Sequence, residues 1–148
     1  MILASSLMTF CLIAIALLLF RCGDLLEEQD PFTRAYNSYL GDCAQCHKPG
    51  TSTYQDVNLD MSTEAAAKAS LKSAANIPAK PDCTGLRFVV ASNPDGSMLI
   101  AVLDDSKMAA YTASSGGCSP LDIIQMGSTP PSASTLADIR EWISDGAK

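Results

Sequence analysis

Cys43-Ala44-Gln45-Cys46-His47 is the stretch of this chain on which the rest of the reading turns. Two thiols three positions apart lie about one turn apart on a helical segment. In the pattern Cys-x-x-Cys-His they can add to the two vinyl groups of one haem, and the histidine that follows is held under the iron. Cys43 and Cys46 are therefore the expected thioether positions of one covalent haem c, and His47 its expected axial ligand. His47 is the single histidine of the chain, so the word does not arise from a general abundance of metal-binding residues. Two other chemistries use a Cys-x-x-Cys pair. Half of a zinc site calls for a second Cys/His pair, and Cys11, Cys22, Cys83 and Cys118 are scattered singly. A thioredoxin-like redox pair calls for alternating strands and helices, a pattern not visible here.

Upstream of this word lies a segment of different character. Residues 1–20, MILASSLMTFCLIAIALLLF, carry no charged side chain. As a helix they would span ~30 Å, the thickness of a bilayer's hydrocarbon core. Residues 1–21 are accordingly read as a membrane anchor or signal segment, 22–31 as a linker and 32–148 as one domain. Three fates of the leader stay open: a retained helix, a lipoprotein cut before Cys22, or a cleaved secretory signal. A secretory signal brings a basic n-region and a small-x-small cleavage site, and neither is present. Leu19, Phe20 and Arg21 before Cys22 are bulky for a lipoprotein cut. Each version delivers the domain to the extracytoplasmic, periplasmic side, where covalent haem attachment takes place in bacteria.

All 16 acidic residues and all but one of the 10 basic residues follow position 22, so the exported part carries a formal charge near −7. No basic stripe is present, which argues against nucleic acid as a partner.

The domain itself reads as short helices joined by loops. Asp30-Pro31 is a helix start, with Asp as N-cap and Pro in the first turn. Phe32, Ala35, Tyr36, Tyr39 and Leu40 then recur at helical spacing, and Gly41-Asp42 is expected to end this helix. A second helix is expected from Ser62 through Leu71. Asn93-Pro94-Asp95-Gly96 is a turn, after which Ser97 should cap a short apolar run, Met98 to Leu103. Thr112 to Gly117 reads as a Ser/Gly-rich loop. The last helix should begin near Ser132 and place Leu136, Ile139, Trp142 and Ile143 on one face. Leu86 to Ala91 is the one plausible strand. The fold class that follows is all-α.

With one histidine, a second axial ligand must be of another type. Methionine is the natural candidate, because its soft thioether binds haem iron and raises the potential. Four lie beyond the leader: Met61, Met98, Met108 and Met126. Met61 and Met98 occupy apolar helix-start positions and suit core filling. Met108 sits in a polar stretch.

Residues 32–148 as a whole resemble a small class I monohaem cytochrome c of the kind found in bacterial membrane-anchored and exported proteins. The resemblance rests first on the haem word. It is extended by Leu59-Asp60-Met61-Ser62 before a helix, Cys83 after it, Asn93-Pro94-Asp95-Gly96-Ser97, and Cys118. It ends on Ile139-Arg140-Glu141-Trp142-Ile143 with Gly146-Ala147. The resemblance implies that the first and last helices cross beside the haem, with Tyr36, Tyr39 and Trp142 at the crossing. It also implies that Met126, in the irregular segment before the last helix, is the second iron ligand.

The expected activity is single-electron transfer without bond-making chemistry by the polypeptide, so an electron carrier rather than an enzyme. The expected partner is a membrane redox complex or other electron-transfer protein, reached from the membrane through the N-terminal helix. Two other functions are weighed against it: a haem sensor with an open sixth position, and a haem-bearing structural subunit of a larger complex.

The cysteines add one further expectation. The haem would take two of six, and Cys11 and Cys22 belong to the apolar segment or its edge. Cys83 and Cys118 remain, in a compartment where thiols tend to pair. A disulfide between them would close a long loop, an effect of ~4 kcal/mol at most on stability. It would also fix the segment leading to Met126. Two separate buried thiols are the alternative.

Overall fold

The computed structural model describes residues 29–121 and 124–148. Six helices follow one another: α1 (Pro31–Ser38), α2 (Ser52–Val57), α3 (Glu64–Leu71), α4 (Met98–Leu103), α5 (Asp105–Ser114) and α6 (Ala133–Ser144). Two short 3-10 turns, Leu40–Gln45 and Pro81–Cys83, stand between them. Among the described residues there is no sheet, only one isolated bridge between Ala74 and Arg87. The domain is all-α. No described helix is long and apolar enough to cross a membrane. The anchor or signal reading of residues 1–21 lies outside the described residues.

The chain starts α1 as its sequence dictates. Asp30 accepts hydrogen bonds from the main-chain N–H groups of Phe32 (2.9 Å) and Thr33 (3.1 Å), and Pro31 takes the first helical position, where no donor is needed. The helix buries Phe32 and Ala35. At the other end of the chain, Ser132 caps α6 by accepting from the N–H of Thr135 (3.1 Å). Spacing of 3–4 residues then places Ile139, Trp142 and Ile143 on the buried face. The two faces meet: the rings of Phe32 and Trp142 stand 4.4 Å apart at 53°. Outside this contact Arg34 reaches across to Asp138 at 2.8 Å. α1 and α6 therefore pack together, with Phe32 against Trp142. Tyr36 lies on α1 and Tyr39 follows its last residue; their hydroxyls donate to the carbonyls of Met61 (3.0 Å) and Thr129 (2.7 Å).

Several boundaries depart from the sequence expectations, each for a local reason. The first helix stops at Ser38, and Gly41-Asp42 sits inside the 3-10 turn that follows. Gly41 is there because the turn folds against Tyr36: a Cβ at position 41 would stand 3.0 Å from the Tyr36 carbonyl oxygen. The second expected helix begins at Glu64, because Thr63 supplies the cap by accepting from the N–H of Ala66.

Two helices were not anticipated. Thr51 caps α2 through the N–H of Tyr54, and Asp104 caps α5 through the N–H of Ser106. The second of these overturns the loop expected from Thr112, since the helix runs on to Ser114. Gly116 and Gly117, with φ of 76° and 103°, turn the chain only after that.

Leu86 to Ala91 is not a strand. It is an extended connection that buries Phe88 and Val89; the Leu86 carbonyl accepts from Ala75 N–H (2.7 Å) and the Phe88 carbonyl from Leu99 N–H (2.9 Å), with no strand partner among the described residues. Ser97 precedes α4 but makes no cap bond. Its fully buried hydroxyl instead accepts from the N–H of Val90 (2.9 Å) and donates to the Asn93 carbonyl (2.9 Å), which pins the turn before it.

The core is one cluster that runs from Phe32 to Ala147 and includes Met61, Leu71, Met98, Ile100 and Ile139. Cys83 and Cys118 lie within it with no exposure, and their sulfurs are bonded. The bridge joins the turn before the extended segment to the stretch that follows α5.

Candidate haem site

The cysteine turn is built from both of its ends. Tyr39 ends α1, and the 3-10 turn begins at Leu40, whose side chain is fully buried. From there the main chain winds tightly. The N–H of Asp42 donates to the Tyr39 carbonyl (3.0 Å), and those of Cys46 (3.2 Å) and His47 (2.8 Å) both donate to the carbonyl of Cys43. Cys43, Cys46 and His47 are thus gathered around one carbonyl oxygen. Downstream, Thr51 anchors the turn by donating to the carbonyls of Cys46 and Lys48. The N–H of Met61 donates to the His47 carbonyl (2.7 Å), while the Met61 carbonyl accepts from Tyr36. Two hydrogen bonds, one from the Tyr36 hydroxyl and one between main-chain groups, therefore link α1 through Met61 to His47.

Cys43 and Cys46 are both free thiols. Cys43 is half-buried against the core and Cys46 is exposed. Burial pushes the Cys43 thiol up to about 11, with the neighbouring charges of Asp42 and Cys46 adding to it. Burial also lowers the pKa of His47, which favours the neutral imidazole. Its Nδ1 atom is buried without a hydrogen-bond partner. Tyr39, next to the turn, has its phenol pushed up to about 12 by burial and then by Cys43 and Asp42, so it keeps its proton and stays a donor.

Of the four methionines, Met61 and Met98 are 1% exposed and fill the core. Met108 is partly buried against it. Met126 stands 39% exposed. It lies in a turn closed by the N–H of Gly127 on the Ile124 carbonyl (2.9 Å), with Ile124 and Leu121 also exposed. A hollow of about 210 Å³ opens beside this stretch, lined in part by Leu103, Ile124, Pro130, Pro131 and Leu136. Tyr39 joins the Met126 segment to the cysteine turn by donating its hydroxyl to the carbonyl of Thr129, three residues past Met126.

These residues fit a covalently held haem. Two unpaired thiols and a partly buried imidazole follow one another in a single turn. A patch of uncovered apolar side chains is tied to that turn from the far end of the sequence. Among the described residues no group of three or more His, Cys, Asp or Glu side chains gathers to hold a metal ion, and the bond between Cys83 and Cys118 leaves neither as a free thiol. The sequence reading did not foresee the Tyr39–Thr129 link, the Met61 contact to His47 or the Thr51 anchor. Thr51, which opens the run Thr51-Ser52-Thr53, carries a cap signal for the last. No family model, curated protein or solved structure matches the chain in comparisons with known proteins.

Proposed function

We propose that this protein is a carrier of single electrons, a small class I-like monohaem cytochrome c held at the outer face of a membrane. The observation that carries the reading is the Cys43–His47 turn, in which both thiols are unpaired and the chain's one histidine follows directly. A haem bound there supplies a reversible one-electron change at its iron. The chain's own residues do the rest. Cys43 and Cys46 hold the group by thioether bonds, and His47 gives a neutral nitrogen to the iron. Met126 gives the second ligand, a thioether that favours the reduced state. Leu121, Ile124 and the side chains lining the hollow beside them provide apolar cover that keeps water from the iron. Cys83–Cys118 restrains the chain that leads to Met126. The uncharged leader would keep the domain close to a membrane redox complex, raising the effective concentration of the pair to about the millimolar range.

The test is denaturing electrophoresis of the protein from its native membrane with haem staining, followed by absorbance of the oxidised form. A stained band at the size of the chain, lost in Cys43→Ala/Cys46→Ala, is the expected result. Haem that separates from the chain in acid acetone sinks the reading. The weak sulfur-to-iron absorbance should vanish in Met126→Ala and persist in Met108→Ala.

A further inference from the structure

The stretch that bears Met126 lies at the surface of the domain. Leu121, Ile124 and Met126 are exposed, Gly127 turns the chain with φ of 77°, and Pro130 and Pro131 have no N–H to donate. The disulfide secures it upstream at Cys118, and the Ser132 cap secures it downstream. Between those points a donor comes from the other end of the sequence. Tyr39, which closes α1 and opens the cysteine turn, is partly buried against the core and donates its hydroxyl to the Thr129 carbonyl at 2.7 Å. The same residue's carbonyl accepts from the N–H of Asp42, the residue before Cys43. One residue thus grips the cysteine turn with its main chain and the Met126 segment with its side chain.

We propose that Tyr39 is the positioning residue for the second axial ligand: by fixing the Thr129 main chain to the cysteine turn, it holds Met126 at the iron against competing ligands. This inference rests on the haem reading given above. Tyr39 touches neither iron nor the thioether and acts through the main chain alone. The acceptor is a carbonyl, so the Thr129 side chain is not required.

The experiment compares the full-length haem-loaded protein with Tyr39→Phe and Thr129→Ala, using imidazole as a competitor for the iron. Haem staining and the intact mass first establish that covalent haem is present in each. Losing one hydrogen bond should raise the apparent affinity for imidazole roughly two- to tenfold in Tyr39→Phe and weaken its sulfur-to-iron absorbance. Thr129→Ala should match the parent in both. If Tyr39→Phe binds imidazole as the parent does and keeps its absorbance while losing stability to urea, Tyr39 is only structural and the inference is overturned. A parent with covalent haem but no sulfur-to-iron absorbance also overturns it, and leaves the haem reading standing. A parent with no covalent haem refutes that earlier reading and the inference with it. Should Tyr39→Phe load haem poorly, Tyr39→Trp retains a ring with its donor displaced; it should show the same rise in imidazole affinity, and parental affinity there counts against the inference equally.

Discussion

Replacing Trp142 by Leu is expected to cost this domain about 2–4 kcal/mol of stability, and the contributions can be separated. The indole is 3% exposed, faces Phe32 at 4.4 Å, and donates from Nε1 to the Lys148 carbonyl at 3.0 Å. Leucine keeps an apolar side chain but removes the ring pair, worth about 0.5–1.5 kcal/mol beyond area, and the hydrogen bond, worth about 0.5–1.5 kcal/mol net. The unfilled volume adds the remainder at ~24 cal/mol per Å³ of cavity. Against a typical total of 5–15 kcal/mol, this is a large share. Urea unfolding of the parent, Trp142→Leu, Phe32→Leu and the double variant completes a cycle. The ring pair should appear as a coupling of about 0.5–1.5 kcal/mol. Trp142→Phe should restore most of the coupling while lacking the bond to Lys148. A coupling below ~0.3 kcal/mol, within ordinary additivity, would refute the claim that the first and last helices are joined through this pair.

Reducing conditions or Cys83→Ser/Cys118→Ser should lower stability by about 2–5 kcal/mol; alkylation under denaturing, non-reducing conditions should leave residues 83 and 118 unlabelled until reductant is added. A second expectation concerns acid. The Asp30 carboxyl is held below its ordinary value of 3.8, chiefly by the Thr33 hydroxyl, then by the Thr33 N–H and Lys68, against some opposing burial. A depressed folded-state value means that its contribution is present above 3.8 and is lost as pH falls through the lower folded value. Asp30→Asn keeps the capping oxygen and loses the charge, so it should be less stable than the parent at neutral pH, with the gap closing in acid. A gap that is constant from neutral pH to well below 3.8, read by urea midpoints, would contradict this. The carboxyl is half exposed, so the gap should be small.

The parts of the fold that the sequence announces are those specified by a few adjacent residues. Asp30-Pro31 and Ser132 carry their own caps, and Ile139, Trp142 and Ile143 recur at the period of a helix, so α1 and α6 are legible without any partner. A helical segment at Cys43 is legible from the Cys-x-x-Cys spacing; that it is a tight 3-10 turn is not. Where the deciding contact is distant, local reading goes astray. The apolar run Phe88-Val89-Val90 has the composition of a strand. Among the described residues no strand pairs with it, and the core takes the side chains of Phe88 and Val89. Thr112 to Ser114 has the composition of a loop, yet the Asp104 cap upstream carries a helix through it. Ser97 looks like a helix cap, but Val90 and Asn93 claim its hydroxyl first.

For the site, the cysteines and His47 stand out as a contiguous word. Tyr39 does not, because its partner is a carbonyl ninety positions away, which no residue type advertises. The aromatics at the helix crossing show the same limit: period places Phe32, Tyr36 and Tyr39 on one helix, and only the packing reveals that Phe32 meets Trp142.

The pairing of α1 with α6 also governs how the domain bears load. α1, which opens the described domain, is fastened to α6 by the Phe32–Trp142 rings and by Arg34 on Asp138. A pull applied at the start of α1 is therefore opposed first by the contact between α1 and α6. The cysteine turn and the Met126 stretch lie in the chain between those two helices, outside the most direct route for the force. Tension at the start of α1 would load the Phe32–Trp142 contact before it disturbed the geometry at His47.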